Sequence, residues 1–204
     1  MEYNLVILRL LLWSRWRFEM DIALVVTTVT AIMVALFGYI ATYINDVRIT
    51  QRTEQLNRVN KQLSEFYGPL FALSQANGIA WHKFREEYRP HEAFFSRSNP
   101  PSEEELQIWR LWIQTVFMPS NLQMYEIIVL KADLLIEKHM PQCLLLFCAH
   151  VTAYQPVLKK WELNDYSEHT SLINYPSNEL LEYCNKSFER LKAEQSRLLG
   201  VRVS

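Results

Sequence analysis

Five histidines and three cysteines are the residues of this 204-residue chain best suited to hold a metal or attack a substrate: His82, His91, His139, His150 and His169, with Cys143, Cys148 and Cys184. A structural zinc site takes four ligands, and two helical ligands share a face only at a spacing of three or four. His139 and Cys143 have that spacing, but Pro141 lies between them and interrupts the helix they would need. Cys143, Cys148 and His150 follow one another at five and two residues, which points them to different sides of a helix. The same geometry rules out Cys148 and His150 as a nucleophile and base. The spacing favours two core thiols and one hydrogen-bonded histidine. Asp133 is the remaining candidate. It stands in the apolar run 127–136, where a buried carboxylate with a raised pKa could act as an acid or base. An ion pair or the exposed edge of a helix is the more ordinary place for it, and Lys131 poses the same choice.

Other reaction motifs are missing. The four glycines are nowhere closer than ten residues, so no phosphate-cradling loop can form. There is no His-Glu-x-x-His, no Cys-x-x-Cys and no Gly-x-Ser-x-Gly. The sequence therefore predicts a protein that is not an enzyme and needs no cofactor. Glu103-Glu104-Glu105 is an acidic first helical turn favoured by the helix dipole.

The elements that would carry these residues are helical. Periodicities of three and four recur and no alternating strand pattern persists, so the fold class is all-α. The dominant element is residues 22–44, 23 positions without a charge between Asp21 and Asp46. As a helix this stretch is about 34 Å long, enough to cross a bilayer core. Tyr39 and Tyr43 at one end, and Trp13 and Trp16 beyond the other, suit interfacial aromatic belts. Residues 1–21 are either an interfacial segment, with Arg9, Arg15 and Arg17 near headgroups, or an extension upstream of a start at Met20. Three cations precede the span, and four follow within twenty residues: Arg48, Arg52, Arg58 and Lys61. With a Met20 start the balance is none against four, which places the C-terminal part in the cytoplasm. Three cysteines without framework spacing suit free thiols there.

Residues 45–204 carry 18 Lys and Arg against 19 Asp and Glu, which gives no basic footprint for nucleic acid. Residues 45–67 read as a helical stalk and 68–204 as a cytoplasmic helical bundle. Gly68-Pro69 is expected to end or kink the stalk. Further helices are expected from about 70 to 87, from the capping box Ser102/Glu105 to about 118, and from a second box Ser120/Gln123 to about 138. Two more follow: one from 142 to 161, and one opening at Ser177 and ending at Gly200. The loops are 88–102 and 162–176.

Two features could recognise partners. Thr27, Ala31, Ala35, Gly38 and Thr42 put small residues on one face of the membrane helix, where helices pack closely. The face continues in phase into Ile49, Leu56, Val59, Leu63 and Phe66, as the seam of a parallel homodimer would. Phe94, Phe95 and Tyr166 are large apolar groups in polar loops, suited either to anchor an unknown protein partner or to fold under their own loops.

The segment Glu65-Phe66-Tyr67-Gly68-Pro69-Leu70-Phe71-Ala72-Leu73, directly after a span and a polar stalk, resembles a group of uncharacterised bacterial single-pass membrane proteins. The resemblance implies a bacterial inner membrane and no particular chemistry. The function expected is therefore a membrane-anchored helical interaction protein: a sensor, scaffold or regulatory partner. The alternatives are an oligomerising effector that perturbs the bilayer and a membrane-tethered enzyme.

Overall fold

The computed structural model describes residues 2–201, with side chains from Trp13 onward except at 14 and 18. Met1, Arg9 and the apolar side chains of 5–12 lie outside what is described. Every regular element among the described residues is helical. The chain forms two compact units, residues 1–54 and 55–204, whose boundary falls within the first helix, α1 (Glu2–Gln62).

In the first unit, every described side chain from 20 to 50 is exposed. The hydroxyls are turned inward along the helix. Thr27 Oγ1 donates to Ala23 O at 2.7 Å, Thr28 to Leu24 O at 2.8 Å, Thr30 to Val26 O at 2.8 Å and Thr42 to Gly38 O at 3.0 Å. The backbone and the threonines thus need no polar partner outside the helix, as a hydrocarbon solvent requires.

The second unit is a helical bundle built from the last turns of α1, then α2 (Gly68–Tyr88), α3 (Glu103–Trp112), α4 (Met118–Leu130), α5 (Gln142–Glu162) and α6 (Ser177–Leu199). α2 packs on α6 and α4, and α5 packs on α4 and α6. Phe84 is fully buried at the centre of an aromatic cluster, with the rings of Trp81, Tyr88, Phe94, Trp109, Trp112 and Phe117 centred between 5.1 and 6.2 Å away.

Two prolines shape this unit differently from the sequence expectation. Gly68-Pro69 neither ends nor breaks the helix. The chain widens into a π-turn at Leu63–Tyr67 and continues directly as α2. The same happens at Ile113–Phe117, one residue before Met118-Pro119. A proline in a helix lacks the N–H for the carbonyl four residues back and crowds that carbonyl. One wide turn relieves both problems, with Gly68 N–H donating to Leu63 O and Met118 N–H to Ile113 O, each five residues back. Ser120 is therefore already inside α4, and the expected capping box with Gln123 is corrected: no helix starts there. α4 also stops at Leu130, well short of 138, and a 3-10 turn at Ala132–Leu134 follows.

The other box forms as expected. Ser102 Oγ accepts from Glu105 N at 3.3 Å, and Ser102 N donates to Glu105 Oε2 at 2.7 Å. α6 ends on Gly200 in the left-handed region, φ 74°, with Val201 N–H bonded to Ser196 O. Asn164, φ 61°, ends α5 the same way.

Candidate functional site

The residues singled out for chemistry are dispersed. Asp133 is exposed in the 3-10 turn, so it is not a carboxylate buried among apolar groups. The helix that would have enclosed it ends three residues earlier. Lys131 Nζ pairs with Glu65 Oε2 at 2.6 Å on a half-exposed surface, which lowers the pKa of Glu65 and raises that of Lys131. His150 is buried and bonds through Nδ1 to Ile173 O at 2.6 Å, and burial lowers its pKa. Burial pushes the Cys143 and Cys148 thiols up, and Cys184 to about 11, so all three are weak nucleophiles at neutral pH. No group of three metal-ligating side chains occurs among the described residues.

The recognition residues divide sharply. Thr27, Ala31, Ala35, Gly38 and Thr42 all lie exposed along α1. An added Cβ at Gly38 would meet nothing within 4 Å. Ile49 is exposed as well, and Leu56 is half-buried against the bundle core. Val59, Leu63 and Phe66 are not available to a second copy: they are buried in the core of their own chain, Phe66 completely. Residues 55–67 thus belong to the bundle, and the free stalk expected over 45–67 is shorter. Polar contacts fix that end of α1 in place. Gln62 Nε2 donates to Leu134 O at 2.8 Å, and Gln195 Nε2 donates to Asn60 Oδ1 at 2.7 Å.

Of the loop aromatics, Phe94 is only 3% exposed and stacks on Trp109 at 5.1 Å, so it serves the core and cannot anchor an outside partner. Phe95 stands half-exposed at the edge of Trp109, and Tyr166 lies half-exposed beneath the Arg110 guanidinium, 4.3 Å from its ring centre.

Three constellations escaped the sequence reading. The first ties down loop 89–102. Arg89 is buried and bidentate to Glu105, at 2.7 Å from Nε and 2.9 Å from Nη2. Its remaining hydrogens reach Asn99 O at 2.6 Å and Pro100 O at 3.1 Å. The Arg89 bond, followed by the Ser102 backbone bond, holds the Glu105 carboxyl down at about 2. The second is a tyrosine pair. Tyr67 OH accepts from Ile136 N at 3.0 Å and lies 3.1 Å from Tyr183 OH, and Tyr183 donates to Glu137 at 3.0 Å. Burial pushes Tyr67 up to about 12. The third pins loop 163–176 to the bundle. Trp109 Nε1 donates to His169 O at 2.8 Å, Tyr154 OH to the same oxygen at 2.7 Å, and Trp161 Nε1 to Glu168 O at 2.7 Å.

Compared with known proteins, the chain matches no family model, no curated protein and no solved structure. Among the described residues one helix is long and apolar enough to cross a membrane, and none of its most apolar stretch is buried. That outward-facing helix is the candidate functional surface.

Proposed function

We propose that this chain is a membrane-anchored helical interaction protein of a bacterial inner membrane, crossing once through residues 22–44 with the bundle on the cytoplasmic side. The observation that carries this reading is the full exposure of 23 uncharged residues on a single helix. Twelve of them are Ile, Leu, Val, Met or Phe. At about −0.3 to −0.6 kcal/mol each, they favour lipid by about 4–7 kcal/mol. In water the same surface would be an apolar patch far beyond what soluble monomers leave uncovered.

With a start at Met20, the four cations at 48–61 against none before the span support the cytoplasmic placement. The exposed small-residue face at Thr27, Ala31, Ala35, Gly38 and Thr42 supports pairing with a second copy inside the bilayer. Because Val59, Leu63 and Phe66 are committed to their own bundle, such a seam extends no further than about Leu56. A disulfide cross-linking scan over positions 27–66 tests it. Cross-linking that peaks every three to four residues through 49 and vanishes at 59, 63 and 66 supports the pair. Uniform or absent cross-linking overturns it.

A further inference from the structure

Loop 163–176 is held largely by side chains of the bundle that bond to its backbone. Trp109, Tyr154 and Trp161 donate to the carbonyls of residues 168 and 169, and His150 donates from Nδ1 to Ile173 O. Ser171 Oγ, itself bonded to His150 O at 3.3 Å, accepts from Ile173 N at 3.2 Å. The loop covers these donors while presenting Leu172 outward at 95% exposure.

At its centre, the His169 ring is set beside a cation. Arg110 of α3 is 8% exposed and pairs with Glu103 at 2.6 Å through Nη2. Its other terminal nitrogen, Nη1, and the His169 ring nitrogen Nδ1 are both buried without a hydrogen-bond partner. A second positive charge here would lie in a poorly hydrated place, against an existing one.

We propose that segment 163–176 is a strap that proton binding at His169 releases, uncovering the aromatic floor formed by Trp109, Tyr154 and Trp161. The groups around the His169 ring set the direction. From α3, Arg110 opposes its protonation and Glu103 favours it; burial is the largest influence, and its pKa lies below the ordinary imidazole value. From α5 come Tyr154 and Lys160, the latter neutralised by Glu168 of the strap at 2.7 Å. Tyr166 and Asp165 are the other titratable groups of the strap near this end. His150, whose pKa burial also lowers, is the competing trigger; its Nδ1–H bond to Ile173 O persists in either charge state, and the His150→Gln variant separates the two.

The strap is most tightly closed above about pH 6.5, where His169 is neutral in both the closed and the open form. As the pH falls below that value the open form binds the proton more readily. The opening constant then rises by up to about tenfold per pH unit, until the pKa of the closed form is reached. This inference does not depend on the membrane reading.

The test uses the full chain in mild-detergent micelles. Hydrogen exchange of the indole Nε1–H of Trp109 and Trp161 is followed by NMR between pH 7.5 and 5.5 and corrected for intrinsic exchange, with α6 amides as reference. In the wild type the two indoles lose protection, by up to about tenfold, while α6 does not change. His169→Gln abolishes the pH response, and His150→Gln retains it. No loss in the wild type, an unchanged response in His169→Gln, or loss of the response in His150→Gln overturns the proposal. If His169→Gln fails to fold, the His169 imidazole is titrated in the wild type. A midpoint below 6.5 supports the strap, and one at or above 6.5 overturns it.

Discussion

Two glycines of α2 should respond to the same substitution with opposite signs. Gly68 lies at the end of the first π-turn, and a Cβ built on it would stand 2.3 Å from Leu63 O, a backbone atom. Gly78 lies further along the same helix, and a Cβ there meets nothing within 4 Å. Alanine is preferred over glycine in a helix by about 0.8–1.0 kcal/mol, so Gly78→Ala should stabilise by about that amount. At Gly68 the same gain is opposed by an overlap of roughly 1 Å with a carbonyl that cannot swing away. Overpacking costs about 1–3 kcal/mol, and an overlap this deep with a fixed backbone atom falls in the upper part of that range, about 2–3 kcal/mol, which leaves a net loss of about 1–2 kcal/mol.

Collapse of the π-turn to an α-turn offers no escape. It would bring Pro69 against the carbonyl of Glu65 and rotate the preceding helix by about 100° relative to α2, taking Val59 and Leu63 off the core. Thermal unfolding of the full chain in micelles, followed by near-ultraviolet circular dichroism of the bundle aromatics, reads both changes. Gly78→Ala should raise Tm by about 2–4 °C and Gly68→Ala should lower it by about 2–8 °C. A Gly68→Ala variant as stable as wild type would refute the role assigned to the wide turn.

Breaking the Arg89–Glu105 pair with Glu105→Gln should destabilise the bundle by about 2–4 kcal/mol and loosen loop 89–102, measured by urea unfolding and limited proteolysis. The carboxyl is held at about 2 in the folded chain and near 4.5 when unfolded. Its contribution is therefore complete above about 4.5 and disappears as the pH falls toward 2, and acid titration of Glu105→Gln should lack that component. Phe66→Ala should cost about 3–5 kcal/mol of bundle stability, whereas Ile49→Ala should stay within about 0.5 kcal/mol, because only Phe66 is enclosed by its own chain. Gly38→Ile should weaken self-association measured by energy transfer in membranes and leave bundle unfolding unchanged.

The local signals were legible where one residue determines its own neighbourhood. Ser102 with Glu105 announced a helix start and formed both expected bonds, and Gly200 announced an end and adopted the left-handed conformation. Signals that depend on what lies across the bundle were not. The three-four spacing of Val59, Leu63 and Phe66 marks a buried face but does not say whose core buries it, so a seam between copies and a seam within one chain look alike. Gly68-Pro69 reads as an end or a kink because a proline removes a hydrogen bond locally. That a wide turn would absorb the loss depends on the packing that holds both flanking helices. The apolar run around Asp133 contains no helix breaker, yet α4 stops at Leu130, and the carboxylate came out exposed. Arg89 and Glu105 are sixteen residues apart, with a loop between them that nothing in its composition marks as closed.

Alkaline carbonate extraction of membranes from cells expressing the full chain tests the central claim most directly. Ultracentrifugation should leave the wild-type chain in the pellet, and a variant with Val29, Ile32 and Leu36 all changed to Asp should move to the supernatant. Recovery of the wild-type chain in the carbonate supernatant would contradict a bilayer-spanning segment at 22–44.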